Sequence, residues 1–217
     1  MAQVFSTRFA LLLRLALLGA LLLVVAAVIA YRASARADAG LNEPVRQPVA
    51  FSHQHHVRDD GIDCRYCHTS VETSAFAGIP PLATCMTCHS QLFADAPPLA
   101  ALRAAYAGTA LLAWNRVHDL PDFVYFDHSI HIAKGIGCST CHGAVDRMPL
   151  TRRVASLYMQ WCLDCHRAPE RHLRPQSAIF DPDWQPPPDQ SARGAQLRKA
   201  YALRTTRELT DCSTCHR

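Results

Sequence analysis

Hydrophobic and polar positions follow two unlike regimes along this chain. Leu15 to Tyr31 is an uncharged apolar run, and Phe9 to Leu13 extend it across Arg14, whose long stem can carry its charge to a headgroup layer. A run of that length predicts a helix that spans a bilayer. Arg8 and Arg14 flank its start with no acidic residue before them, which puts the N-terminus in the cytoplasm. Residues 1–8 therefore read as a cytoplasmic tail and 9–31 as a transmembrane anchor, with everything beyond outside the cytoplasm. Ala33-Ser34-Ala35 and Ala35-Arg36-Ala37 follow as small-residue sites, so a cleaved secretory peptide is the alternative.

Beyond the anchor the pattern dissolves. Residues 32–50 are small, polar and proline-containing, and read as a tether. Residues 51–217 show neither a sustained helical period nor strand alternation, which predicts short helices joined by long irregular connections. At most one extended piece is expected, at Phe123–Phe126. Asp181–Asp189, with four prolines, reads as an extended strap, and Ala195–Leu209 as one longer helix carrying Arg198, Lys199, Arg204 and Arg207. The fold class is mainly irregular and α, with little or no sheet, plus the N-terminal transmembrane helix.

Composition supplies what such a body lacks in apolar pattern. The chain holds ten cysteines and twelve histidines in 217 residues. Every cysteine falls in one motif: Cys64-Arg-Tyr-Cys67-His68, Cys85-Met-Thr-Cys88-His89, Cys138-Ser-Thr-Cys141-His142, Cys162-Leu-Asp-Cys165-His166 and Cys212-Ser-Thr-Cys215-His216. This is the signature of covalent haem c attachment. Two thiols three residues apart on one helical turn reach the two vinyl groups, and the adjacent imidazole meets the iron. Zinc ribbons pair their Cys-x-x-Cys units and ask for no histidine after each, and five units cannot be paired. Redox dithiols need a βαβ context that is absent, and disulfides across so short a loop are strained. The reading is five covalently bound haems c, with His68, His89, His142, His166 and His216 as proximal iron ligands.

A duplication supplies the other iron face. Phe51-Ser-His53-Gln-His-His56 precedes the first motif and Phe126-Asp-His128-Ser-Ile-His131 precedes the third, and a further motif follows each. The repeat thus runs over 51–89 and 126–166, with the fifth motif, 212–216, outside it. Histidines at i and i+3 project from one side of a turn, so one can cap the haem of its own module and the other a neighbouring haem. His53, His56, His128 and His131 are read as four distal ligands. The fifth is one of His118, Met159 and Met148. His55 and His172 read instead as solvated or propionate-bound. A methionine ligand would raise the potential of its haem.

With five haems on so short a chain, the cofactors are expected to form the core. Setting aside the two anchor arginines leaves 20 basic against 18 acidic residues. Ten propionates would take that balance to about −8. No clustered Lys/Arg face marks a nucleic-acid partner.

The two leaders resemble those of multihaem class III cytochromes, where this pattern supplies sixth ligands. Three longer runs are more specific: Val57–Pro80, Arg116–His131 and Leu157–Arg167, the last reading Leu-Tyr-Met-Gln-Trp-Cys-Leu-Asp-Cys-His-Arg. Together they resemble the pentahaem, membrane-anchored cytochrome subunit of alternative complex III, a bacterial quinol:cytochrome c oxidoreductase, over nearly the whole chain. The resemblance implies an electron wire with no substrate site of its own. Its partners would be integral-membrane quinol-oxidising subunits, an iron–sulfur subunit, and a monohaem cytochrome c or terminal oxidase. Mixed bis-His and His/Met ligation is also implied. The alternative is a stand-alone, membrane-anchored multihaem quinol dehydrogenase feeding a periplasmic reductase.

Overall fold

The computed structural model describes residues 6–36 and 40–216, without the side chains of 33–36. Most of the tail read at 1–8, the middle of the tether with Ala37 of one candidate cleavage site, and Arg217 lie outside the described residues. The chain divides into two units, one ending at Leu41 and the other beginning at Asn42.

The first unit is helix α1, Thr7–Arg36. At 1.5 Å per residue its 30 residues extend about 45 Å, more than a bilayer's hydrocarbon core. It is long and apolar enough to cross a membrane, and its leucines and valines are exposed throughout.

The second unit begins earlier than the apolar pattern suggests. Asn42 N donates to Arg153 O (2.7 Å) and Val45 N to Thr151 O (3.1 Å), and Val49 is buried. Residues 42–50, read from sequence as the end of a free tether, are therefore held along the 151–153 segment. Backbone hydrogen bonding, to which side-chain periodicity is blind, is what holds them.

The body is built from nine short helices among the described residues: α2 Cys64–Cys67, α3 Leu82–His89, α4 Ala100–Tyr106, α5 His128–Ala133, α6 Ser139–His142, α7 Met159–Arg167, α8 Gln190–Ala200, α9 Thr206–Leu209 and α10 Cys212–Cys215. Several start where a side chain caps them. Asp63, Asp127 and Asp211 accept from backbone N–H groups at the starts of α2, α5 and α10, and Thr205 with Glu208 forms a reciprocal capping box on α9. That box also explains why the helix expected over Ala195–Leu209 is two helices. Ala202 takes a left-handed conformation (φ 48°), which ends α8 and lets Thr205 begin α9 afresh.

Extended pairing among the described residues is confined to isolated bridges, Pro44–Arg152, Val124–His216 and Ile136–Leu173. The second of these falls in the expected extended piece at Phe123–Phe126. The apolar core is small. Val71, Ile132 and Ile179 cluster with Ala77 and Phe180 beside them, and Leu173 and Met148 are enclosed elsewhere. Many large apolar side chains near the five motifs, including Tyr66, Phe93, Phe123, Tyr125 and Tyr158, are exposed instead.

Polar contacts fix the connections in place of a core. Asp183 in the proline strap pairs with Arg58 (2.7 Å) and Arg147 (3.0 Å), and the buried carboxylate of Asp146 lies 3.6 Å from both arginines. Gly194 brings α8 onto the turn Pro169–Arg171 so closely that a Cβ there would sit 1.9 Å from Glu170 O. Gln190 Nε2 then donates to the carbonyls of Glu170 (2.9 Å) and Leu173 (2.8 Å).

Candidate haem-attachment sites

Each motif closes on itself as a single turn. His68, His142 and His216 donate their backbone N–H to the carbonyl of the first cysteine of their own motif, at 2.9, 3.0 and 2.9 Å. The second and fourth motifs lie inside α3 and α7. The turn sets both thiols and the imidazole on one side, the arrangement that thioether attachment and axial ligation need.

Opposite four of these motif histidines stands a leader histidine. Ring centroids are 6.4 Å apart for His53 and His68, 6.1 Å for His56 and His89, 6.4 Å for His128 and His142, and 6.2 Å for His131 and His166. Two metal–nitrogen bonds of about 2 Å plus the two ring radii come to roughly 6 Å, so each pair fits one iron held between its imidazoles. The rings of the first and third pairs are near parallel, at 8° and 9°.

The leader phenylalanine explains its own place in the pattern. Phe51 stacks on His56 (4.6 Å, 23°) and meets His53 edge-on (4.9 Å, 89°). Phe126 does the same with His131 (4.6 Å, 27°) and His128 (4.8 Å, 90°). Each ring fixes the angle between its two histidines.

Ring orientation is locked through Nδ1. His68, His89 and His166 direct it to the carbonyls of Gly78, Leu92 and Leu209, at 2.7, 3.1 and 2.9 Å. His56 and His131 reach back to Ser52 O (2.8 Å) and Asp127 O (2.6 Å) in their own leaders. The first histidine of each leader reaches into the other repeat: His53 to Thr151 Oγ1 (3.0 Å) and His128 to Ala75 O (2.8 Å). Carbonyl acceptors place the N–H on Nδ1 and leave Nε2 free to face an iron. Burial, with His68 and His56 nearby, pushes His53 down to about 4, and burial among other histidines pushes His142 down to about 3. Both are neutral at pH 7, the form that binds a metal.

The three residues weighed for the fifth distal position part company. His118 packs edge-on against His142, with centroids 4.3 Å apart, which places it beside the third motif and closer than an intervening iron allows. Met148 is enclosed at 2% exposure and accepts from Gln54 N at 3.1 Å, which places it under the first leader. Spacing along the chain could not show which motif each of these residues approaches. Met159 opens α7 and is exposed. It shares a helix face with Cys162 three residues on, and α7 packs against α9, which leads into the fifth motif. His216 itself stacks with Phe123 (5.9 Å, 29°). His55 is exposed and 3.6 Å from Asp60.

Two supporting residues escaped sequence reasoning. Thr151 has no motif of its own. Arg174 is 3% exposed, lies over Trp184 (4.3 Å) and donates to Ser139 Oγ (3.0 Å) and Thr140 Oγ1 (3.3 Å) inside the third motif. It lines an open pocket of about 330 Å³ with His172, Gly143 and Pro186. Gly137 leaves room for its guanidinium, 2.3 Å from where a Cβ would sit.

Comparison with known proteins agrees with this geometry. The family model described as cytochrome c7 and related cytochrome c matches residues 124–217, and that of the class III cytochrome C family matches residues 30–107. Over these two stretches the chain is similar to multihaem cytochromes c of the class III type. It is homologous to a curated protein of Nitratidesulfovibrio vulgaris strain Hildenborough named "Menaquinone reductase, multiheme cytochrome c subunit", at 37% identity over 102 residues, which is 46% of this chain and 48% of the relative. The match therefore spans about half the length of each.

Proposed function

We propose that this chain is the electron-transfer subunit of a respiratory quinol:cytochrome c oxidoreductase of the alternative complex III kind. The four facing imidazole pairs carry the reading: protein side chains cap both sides of each site, which suits electron transfer and leaves no substrate position there. Cys64, Cys67, Cys85, Cys88, Cys138, Cys141, Cys162, Cys165, Cys212 and Cys215 hold five haems, each of which supplies a one-electron iron couple. His68, His89, His142, His166 and His216 serve as proximal ligands and His53, His56, His128 and His131 as distal ones, with Met159 the fifth. Replacing Met159 with Leu is expected to turn one haem high-spin, and an unchanged absorption and EPR spectrum would remove Met159 from the set.

Helix α1 anchors the body on the periplasmic face of the inner membrane. Its partners are quinol-oxidising membrane subunits, an iron–sulfur subunit, and a cytochrome c or oxidase as acceptor. The name of the homologous subunit favours a second reading, in which the same kind of complex runs toward menaquinone. Gentle detergent purification with identification of the co-purifying subunits, followed by kinetics, tests both. Quinol-driven reduction of cytochrome c supports the first reading and cytochrome-driven reduction of menaquinone the second. A protein that purifies alone and oxidises quinol unaided overturns both.

A further inference from the structure

We propose that the five attachment motifs form an unbranched row in the order second, first, third, fourth, fifth, so that redox partners meet this chain at its second and fifth sites. This rests on the reading that all five motifs carry haem.

Four junctions define the row. The second and first motifs are joined by Tyr66 OH and Thr87 Oγ1, 2.9 Å apart, and by His53 and His56, which stand on one turn and face His68 and His89 respectively. The third and fourth are joined in the same way by His128 and His131 on α5, facing His142 and His166.

The first and third meet through a reciprocal exchange. His53 of the first leader is held by Thr151, beyond the third motif. His128 of the second leader is held by Ala75, beyond the first, where its backbone N–H also bonds (3.2 Å) beside Ser129 N to Ser74 O (3.2 Å). The exchange joins equivalent positions, since the first histidine of each leader is held by the other repeat.

The fifth motif joins at the fourth. Leu209, just ahead of it, accepts from His166 Nδ1 at 2.9 Å, and α9 packs on α7. The first, third and fourth motifs thus have two neighbours each, and the second and fifth one each. Spatial order departs from chain order because each leader serves its own module and the two modules meet through their first motifs.

Transfer along such a row oxidises one iron, reduces the next and forms no bond, with a reduced redox protein as donor at one end and an oxidised one as acceptor at the other. The test uses the full-length holoprotein in detergent. His56→Met and His131→Met each exchange one imidazole for a thioether, which raises the potential of that haem and lets it be reduced alone to a diamagnetic state. EPR then counts which remaining ferric haems lose dipolar broadening. One is expected to sharpen for His56→Met and two for His131→Met. Two for the first or one for the second overturns the order. Iron–iron distances in an experimental structure of the unaltered holoprotein provide an independent reading, with the second and fifth irons farthest apart, and any other end pair refutes the row. Neither readout depends on quinol oxidation, so the order and the proposed function fail separately. Fewer than five haems by pyridine haemochrome assay would overturn the reading on which the row rests.

Discussion

Thr151→Val removes an acceptor that one point mutation can reach. Of the seven imidazoles tied through Nδ1, six use backbone carbonyls and His53 alone uses a side chain. His53 is neutral and largely buried. With Nε2 toward an iron its proton sits on Nδ1, and Thr151 Oγ1 accepts it at 3.0 Å. Losing that acceptor costs about 1–3 kcal/mol for the stranded donor. Second-sphere losses of this kind weaken metal binding by about 10–100-fold. An imidazole that gives up its hydrogen bond donates less charge, and the ferric state loses more than the ferrous. If the two states differ tenfold, the potential rises by about 59 mV, so the expected outcome is a rise of a few tens of millivolts at one haem. Spectroelectrochemical titration resolves it, with Thr151→Ser as the control that keeps the wild-type value. A fall in potential, or five unmoved potentials in a protein of unchanged circular dichroism, would refute the reasoning.

Three further outcomes test the framework. Gly194→Ala forces α8 off the Pro169–Arg171 turn, because the clash is with backbone; at about 3 kcal/mol it should lower the thermal midpoint by several degrees, and an unchanged midpoint would contradict the packing. Asp127→Ala removes the cap of α5, which carries both His128 and His131; about 1 kcal/mol of lost stability should appear with a high-spin fraction at two haems, seen by EPR. The Arg58 hydrogen bond, with Arg147 beside it, holds Asp183 below the usual carboxylate range, so its contribution is complete above that range and disappears as pH falls through the lowered value. Amide protection factors across residues 181–189, taken relative to the intrinsic rate at each pH, should fall on acidification from neutral pH, and Asp183→Asn should already show low protection at neutral pH.

Much of this site was legible because its chemistry demands fixed spacing. The five cysteine motifs must each fit one helical turn, and two histidines three apart must face one way, so the motifs and the leaders stand out in the sequence. What was hidden depends on contacts between distant segments. Thr151 lies 98 residues from His53, and nothing in its neighbourhood separates it from a surface threonine. Backbone carbonyls that orient imidazoles leave no trace in residue identity. The ten residues between His118 and His128 do not show which motif His118 approaches, and only its packing on His142 places it beside the third. The break after α8 turned on a left-handed Ala202, a conformation that alanine does not advertise. The motifs were local and the supports were not, which is why the ligands could be read and their anchors could not.

The crossed anchoring of His53 and His128 bears on biogenesis. In the proposed anchored orientation the segment after α1 would cross the membrane first, with the first two attachment motifs ahead of Thr151, so His53 would begin without the hydroxyl that orients it. The second leader, by contrast, arrives to find Ala75 already in place. Maturation of the first half is thus completed by the second. Each half relies on the other to orient the first histidine of its leader, so neither carries the full set of supporting contacts alone.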